Sequence, residues 1–342
     1  MKKILLLIGL TILAGAIFLA WFLPSAYIGS PASTSVPLQI PENSTAGSVA
    51  ELLSKKGIIL SPLGYKIFSY IDSGARHPRA GDYAVFPGSS YRALARQLSL
   101  GPSRDEITIR ILEGASLQDV SLEVGKWGVT ARAFADLVGD AKQGKAFSTP
   151  LRQQFEFLKN LPAKASLEGY LFPDTYRVWK DQLPLGFVLK QLQEFDKQTE
   201  GYAADATKQG RTLKDVVILA SLLEKEGKTL EERKMIAGIL LNRLEGPMRL
   251  QLDSTVNYVT GGNKPRVSLE DLEVDSPYNT YKHNGLPPGP ICNPGKDSLE
   301  AALHPTASSY YYYLHDDSGK IYYAKTIEEH KANRVKAFGT AN

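Results

Sequence analysis

The chain has 342 residues, of which 43% are hydrophobic and 22% charged, and its formal net charge at pH 7 is +4. This is the composition of a globular protein long enough for two or three domains. The net charge is too small, without any long Lys/Arg block, to argue for nucleic acid as a partner. Cys292 is the single cysteine, which excludes an intramolecular disulfide and predicts a small buried apolar side chain.

The N-terminus predicts a membrane anchor. Two lysines precede an uncharged run from Ile4 to Leu23, which is 20 residues long. A helix of that length spans about 30 Å, the hydrocarbon thickness of a bilayer. A cleaved signal peptide has an apolar core of about 7–15 residues and a small-x-small site, whereas this run ends in "WFLP". The pattern favours an uncleaved anchor over residues 1–23, with its N-terminus in the cytoplasm and the remaining chain outside the cytoplasmic membrane.

A linker rich in Ser and Pro, residues 24–35, follows the predicted anchor. After it, an apolar strand, a polar turn and an amphipathic helix recur in "LQIPENSTAGSVAELLSKKG", "YAVFPGSSYRALARQLSLG" and "IRILEGASLQDVSLEVG". A Ser precedes each helical pattern, as expected of a helix N-cap. Because the period is irregular, the repeats predict small βα units, serving as a binding module or spacer, rather than a solenoid.

The stretch "TLKDVVILASLLEKEG" predicts a helix with a carboxyl group on its buried face. It opens with a capping-box pattern, and its apolar stripe at i, i+3, i+4 and i+7 ends at Ala220. The next member of that stripe is Glu224, whereas Glu226 lies about 200° further round and is predicted to face solvent. Burial raises the pKa of a carboxyl, which suits an acid that must hold a proton near neutral pH. The alternative is a structural glutamate that binds a buried donor.

Three later segments complete the candidate site. The stretch "TLEERKMIAGILLNRLEGP" predicts a second helix, nearly antiparallel to the first, and "MRLQLDSTVNYV" predicts a half-buried strand with Gln251 and Asp253 on its polar face. The loop 275–295 is rich in Pro but also carries side chains suited to carbohydrate, and long ordered loops are usually functional. Its candidate contacts are Tyr278, Asn279 and Tyr281.

Two other regions carry further predictions. The stretch "LEGYLFPDTY" is unusually aromatic, either as a buried lid or as a cleft lining for sugar rings, with Glu168 as a structural cap or an additional carboxylate. The stretch "SYYYYLHDDSGKIYYAKTIEEH" predicts a hairpin and then a helix capped by Thr326. The chain has no G-x-S-x-G or S-x-x-K motif, and its five histidines lack metal-ligand spacing, so we expect neither a serine hydrolase nor a metal or other cofactor.

These motifs together resemble the endolytic lytic transglycosylases of peptidoglycan, the YceG-like or MltG family. The resemblance rests on "LEGYLFPDTY", "LASLLEKE", "ILLNRL", "MRLQLDSTVNY", "SPYNTY", "GLPPGPICNPG" and "EEH", and extends from the anchor to His330. It implies an α+β chain in five segments: an anchor (1–23), a linker (24–35), a LysM-like module (36–104), a connecting α/β subdomain (105–164) and a catalytic domain (165–340).

The resemblance also implies an activity, namely cleavage of the MurNAc-β-1,4-GlcNAc bond with formation of a 1,6-anhydro end. It places the catalytic glutamate at the first Glu of "EKE", which is Glu224, and it implies that an anchored enzyme ends the growth of nascent strands beside peptidoglycan synthases. The chain has "DST" at residues 253–255, where the family often has Asp-Pro-Thr. Two alternatives remain, a non-catalytic peptidoglycan-binding scaffold and a two-carboxylate muramidase with Glu168 or Asp253 as the second acid.

Overall fold

The computed structural model describes residues 22, 25–26, 30–32, 34–102, 105–262 and 267–339. The chain divides into two compact units, residues 1–105 and 106–342. The predicted anchor, residues 1–23, lies outside the described residues apart from Phe22. Among the helices that are described, none has both the length and the apolar character needed to cross a bilayer.

The first unit is built on an antiparallel pair of strands, in which Leu38 lies opposite Tyr83. Thr45 and Ser90 cap the helices that follow these two strands, so the predicted order of strand, turn and helix is confirmed, with Thr45 rather than a Ser as the first cap. The elements are β1 (Val36–Ile40), α1 (Ala46–Lys55), α2 (Pro62–Ile71), α3 (Ser73–Arg76), β2 (Gly81–Val85) and α4 (Tyr91–Leu100).

The second unit begins with the third repeat, whose strand pairs with a distant one and places Ile109 opposite Tyr176. Its first half contains β3 (Glu106–Arg110), α5 (Leu117–Gly125), α6 (Ala131–Val138), α7 (Thr149–Gln154), α8 (Glu156–Lys159), β4 (Thr175–Trp179), α9 (Leu185–Gln198) and α10 (Tyr202–Lys208). Its second half contains α11 (Leu213–Glu226), α12 (Leu230–Glu245), α13 (Asp253–Thr260), α14 (Leu269–Leu272), α15 (Lys296–Leu303), β5 (Tyr312–His315), β6 (Ile321–Ala324) and α16 (Ile327–Phe338).

The predicted α+β class is confirmed, because small antiparallel sheets and helices share the cores of both units. The capping box of Thr212 and Asp215 opens α11 as predicted. The C-terminal prediction also holds, since β5 and β6 form a hairpin and Thr326 caps α16.

Helix α11 is the centre of the second unit and is buried on every side. Each residue from 216 to 223 is at most 1% exposed. The helix packs against α12, α13 and α15. A helix that is apolar all round belongs in a core and has no solvated face. For α11, therefore, helical periodicity does not separate a buried face from an exposed one.

The strand predicted for "MRLQLDSTVNYV" is wrong, because residues 248–252 form no strand and α13 begins at Asp253. The chain turns at Gln251, which has a left-handed φ of 52°. The Leu252 amide then donates to the Thr280 hydroxyl, 2.9 Å away, instead of to a neighbouring strand. The Thr255 hydroxyl bonds to the Leu252 carbonyl in the first turn of α13. The alternating pattern covers too few residues to outweigh these tertiary bonds.

Candidate active site

A cleft of about 1080 Å³ crosses the second unit. This volume slightly exceeds the roughly 300–1,000 Å³ of typical small-molecule sites, so an extended ligand would fit. The cleft lies among the start of α5, the end of α11, α13, the β5 strand and α16. Polar side chains that line it include Asp119, Lys142, Glu226, Arg243, Gln251, Asp253, Ser254, Tyr258, Tyr281, Tyr313 and His315.

Glu226 is the carboxyl group that α11 presents to the cleft. Its Oε1 accepts a hydrogen bond from the Ser254 hydroxyl at 2.8 Å, and its Oε2 accepts one from the Tyr313 hydroxyl at 2.7 Å. Burial raises the pKa of Glu226, the two hydroxyls partly oppose that rise, and the charge of Asp253 adds to it. The prediction that Glu226 faces solvent is therefore wrong.

Arg243 of α12 brings the two hydroxyl donors to Glu226. It is only 7% exposed, and its guanidinium donates to the carbonyls of Leu250 and Tyr311 at 2.5 and 2.7 Å. These bonds join α12 to the segment before Ser254 and to the segment before Tyr313. The arginine thus orients both sides of the cleft around one carboxyl group.

Glu224 lies two residues earlier in α11 and has a different environment. Its Oε1 forms an ion pair with Nη2 of Arg233 at 2.9 Å, and the two side chains are 6% and 10% exposed. Its Oε2 accepts the Gly295 amide at 2.9 Å, at the N-cap of α15. Glu224 therefore links α11 to α12 and α15. The described residues that line the cleft do not include it.

Three of the predicted contacts do line the cleft, namely Gln251, Asp253 and Tyr281. The Tyr281 hydroxyl donates to Oδ1 of Asp253 at 2.5 Å, and the Val267 amide donates to Oδ2 at 3.3 Å. The left-handed backbone of Gln251 is uncommon outside glycine, and such residues cluster at functional sites.

Tyr278 and Asn279 instead support the loop that carries Tyr281. Asn279 is fully buried, and its Nδ2 donates to the carbonyls of Leu272 and Val274 at 2.8 and 2.9 Å. Tyr278 is 6% exposed, with its ring centroid 5.1 Å from that of Tyr258. These contacts stabilise the loop from its buried side. Neither Tyr278 nor Asn279 is among the described residues that line the cleft.

Glu168 is a buried carboxyl, 4% exposed, that connects α5 with α13. Its Oε1 accepts the Leu117 amide in the first turn of α5 at 3.0 Å, and its Oε2 accepts the Tyr258 hydroxyl at 3.3 Å. Burial is the largest cause that raises its pKa, from 4.5 to about 8. The geometry is that of a structural cap, which was one of the two roles predicted from the sequence.

The raised pKa of Glu168 predicts a pH-dependent stability. The unfolded carboxyl ionises near pH 4.3, so this group's contribution is complete below that pH and is lost as the pH rises to about 8. We expect the Glu168→Gln variant, which cannot ionise, to lack this loss, a difference of about 3–4 kcal/mol between pH 5 and pH 8. Urea unfolding at pH 5 and pH 8 measures it. A variant at the exposed Glu156, Glu156→Gln, is the control, and equal pH slopes in wild type and Glu168→Gln would contradict the burial argument.

The sequence did not predict the positions at the cleft of Glu226, Arg243, Ser254, Tyr313 and His315. Two signals were available. The unbroken apolar run of α11 marks a helix without a solvated face. Alternation along the tyrosine run places Tyr313 and His315 on one face of β5. In the part of the chain that the structure describes, no group of three or more His, Cys, Asp or Glu could hold a metal ion.

A carboxyl held between two hydroxyl donors in a large polar cleft is typical of enzymes that use acid–base chemistry. The chain belongs to the YceG-like family, which it matches over residues 38–336. This confirms the family predicted from the sequence motifs.

Relatives of the chain include two named endolytic murein transglycosylases. The one from Bacillus subtilis is 33% identical over 324 residues, covering 90% of this chain and 86% of the relative. The one from Streptococcus pneumoniae strain D39 is 32% identical over 322 residues, covering 87% of this chain but only 57% of the longer relative. A crystal structure of a YceG-like protein from Listeria monocytogenes, 30% identical, covers 89% of this chain and 100% of its own, with a TM-score of 0.58.

Proposed function

We propose that this chain is an endolytic lytic transglycosylase of peptidoglycan, which cleaves MurNAc-β-1,4-GlcNAc bonds and leaves 1,6-anhydro-MurNAc ends. The observation that carries the proposal is the Glu226 carboxyl, which lies in the cleft between the hydroxyls of Ser254 and Tyr313. The relatives named endolytic murein transglycosylase support the same reaction class.

One carboxyl group is sufficient for this reaction. Glu226 in its acid form protonates the glycosidic oxygen as the bond from that oxygen to C1 of MurNAc breaks. The resulting carboxylate takes the proton of the MurNAc 6-hydroxyl, whose oxygen bonds to C1 and closes the anhydro ring. Glu226 ends the cycle protonated and no water is consumed. Burial, which raises its pKa, favours the acid form needed at the start.

We assign this role to Glu226 in place of Glu224, the residue that the family motif indicated. Both oxygens of Glu224 are occupied by donors of the protein itself, the Arg233 guanidinium and the Gly295 amide. A general acid must lie within hydrogen-bond reach of the substrate oxygen. Glu226 meets that requirement because it lines the cleft, and its partners are hydroxyls that can rotate when a substrate binds.

The remaining predicted residues divide into two roles. We propose Gln251, Asp253 and Tyr281 as substrate contacts, since their side chains line the same cleft as Glu226. Tyr278, Asn279 and Glu168 position the loop 275–295 and helix α5 without touching the glycan.

A second candidate function is a muramidase that hydrolyses the same bond with two carboxylates. It is favoured by Asp253, which lines the cleft and whose charge acts on Glu226. The pairing of Asp253 with the Tyr281 hydroxyl and the Val267 amide argues against a free nucleophile. A hydrolase would also need an attacking water or a covalent intermediate.

Digestion of purified glycan strands in ¹⁸O-water separates these functions. The transglycosylase cuts within the strand and leaves new anhydro ends without ¹⁸O. The muramidase leaves reducing ends that carry ¹⁸O. Glu226→Gln is the control for contaminating activity. Labelled reducing ends from the wild type would overturn the proposed function, and intact strands would leave a binding protein.

We further propose that residues 1–23 anchor the chain in the cytoplasmic membrane, with a LysM-like module at 36–104 and a catalytic domain at 165–340 on the outer side, joined by 105–164. The uncharged run from Ile4 to Leu23 supports the anchor. An anchored enzyme would cut strands as synthases extend them. Replacing the anchor with a cleaved signal peptide should then lengthen the glycan strands in cells, and unchanged strand lengths would count against this site of action.

A further inference from the structure

Helix α2 of the first unit is apolar on both of its faces. Gly64, Tyr65 and Phe68 are buried in the core of that unit. On the opposite side, Leu63, Tyr70 and Ile71 are 65%, 71% and 66% exposed. At 3.6 residues per turn, Leu63 lies about 20° from Tyr70 and about 80° from Ile71, so the three side chains form one stripe about 100° wide. Leu60, which is 92% exposed, lies just before this helix.

Isolated exposed apolar residues are normal, but a contiguous patch marks an interaction surface. We call the exposed side chains of Leu60, Leu63, Tyr70 and Ile71 the α2 outer face. Its composition is that of a membrane interface, with aliphatic residues, one tyrosine and flanking cations. Lys66 is exposed at the edge of this stripe, about 40° from Tyr70 around the helix.

Arg76 holds a positive charge at one end of the α2 outer face. The Arg76 guanidinium donates to the backbone carbonyl of Tyr70 at 2.9 Å, so its charge stays at the C-terminal end of α2. Asp72, the acidic residue between them, is engaged at the start of α3, where it accepts the amides of Gly74 and Ala75. The charges that accompany the α2 outer face therefore complement anionic headgroups.

The end of the uncharged N-terminal run packs into the core of the first unit, near the same helix. Phe22, the last residue but one of the uncharged run, is 5% exposed and packs with its ring centroid 6.3 Å from that of Tyr91. Tyr91 in turn lies 5.6 Å from Tyr65 and 6.1 Å from Phe68, both on α2. Tyr91 thus contacts both Phe22 and α2, so α2 lies within a few residues' reach of the part of the run, before Phe22, that is proposed to enter the bilayer.

We propose that the α2 outer face lies in the headgroup region of an anionic lipid bilayer and holds the first unit against the membrane. The inference rests on the proposed anchoring of residues 1–23 and goes beyond it, since an anchor alone does not determine which face of the first unit meets the membrane. An apolar helix face of this kind inserts about 5–10 Å, to the boundary of the acyl chains.

Site-directed spin labelling of the full chain tests the proposal. Cys292 is fully buried, and in a Cys292→Ala background nitroxides are attached at Leu63→Cys and Tyr70→Cys. Glu51→Cys, at an exposed position of α1, is the matched control. In vesicles of phosphatidylethanolamine and phosphatidylglycerol, we expect labels 63 and 70 to collide several-fold more with oxygen than with a nickel chelate, and label 51 to show the reverse. Replacing phosphatidylglycerol with phosphatidylcholine should reduce the effect.

The possible outcomes are distinct. If the protein floats with the vesicles while labels 63 and 70 collide with nickel as label 51 does, the inference is wrong and the anchor stands. Dipolar broadening between labels, without lipid contact, would show that a second copy covers the face, which also overturns it. A protein that does not float with vesicles would overturn the anchoring and this inference together, while ¹⁸O analysis of its products would still test the enzyme.

Discussion

The Glu226→Gln variant is expected to lose glycan cleavage, with kcat lowered about 10²–10⁴-fold, the usual contribution of a general acid–base group. The amide has nearly the same shape as the carboxyl group but cannot give up a proton to the glycosidic oxygen. Its oxygen still accepts from one of the two hydroxyls, Ser254 or Tyr313, and it removes a carboxyl whose ionised form is disfavoured by burial. We therefore expect the fold to be retained. Release of anhydro-muropeptide ends from defined strands, quantified by mass, measures the loss.

Glu224→Gln is the matched control, because it makes the same chemical change two residues earlier in the same helix. We expect it to keep kcat within about tenfold once activity is expressed per folded molecule, since its side chain bonds to Arg233 and Gly295 outside the cleft lining. The opposite result, an active Glu226→Gln and an inactive but folded Glu224→Gln, would return the catalytic role to Glu224.

The Glu224–Arg233 pair is expected to have a large effect on stability. Glu224→Ala leaves the Arg233 guanidinium, 10% exposed, without its carboxylate and also removes the acceptor of the Gly295 amide. Breaking a buried ion pair in this way costs about 3–5 kcal/mol. Urea unfolding at neutral pH measures the change. Because the pair joins α11 to α12 and α15, the loss should appear as lower stability of the whole second unit.

Two further variants test whether the loss of stability comes from the buried Glu224–Arg233 pair. Lys197→Ala breaks the exposed pair of Lys197 and Glu194 and should cost no more than about 1 kcal/mol. The double variant Glu224→Leu with Arg233→Leu removes both charges together and should recover much of the loss, because no unpaired charge remains buried. A cost for Glu224→Ala as small as that for Lys197→Ala would contradict the structural role.

Local features were predicted well where neighbouring residues decide them. The caps at Thr212 and Thr326, the terminal hairpin and the repeated strand–helix units all depend on hydrogen bonds within a few residues. The stretch that opens α12 also has a capping-box pattern, Thr229 with Glu232, and only half of that box forms. Thr229 accepts the Glu232 amide, but the Glu232 carboxylate bonds to the Lys228 amide instead of closing the box.

The candidate site was predicted less well, because its residues come from distant parts of the chain. Gln251, Asp253 and Tyr281 reach the cleft as the sequence indicated, whereas Tyr278 and Asn279 support the loop from within. Loop composition cannot tell these two groups apart, since Tyr and Asn serve equally as ligands for a sugar and as braces for a backbone.

The sequence by itself determined the family, the α+β class and the helix that carries two glutamates before a Gly. Only the tertiary structure decided between those glutamates. Helix α11 is enclosed on all sides, so the direction of its apolar stripe does not predict which carboxyl meets solvent, protein or cleft. That difference comes from Arg233 and Gly295 on one side, and from Ser254 and Tyr313 on the other. Ser254 and Tyr313 lie 28 and 87 residues from Glu226 along the chain, so packing, rather than local sequence pattern, decides which carboxyl faces the cleft.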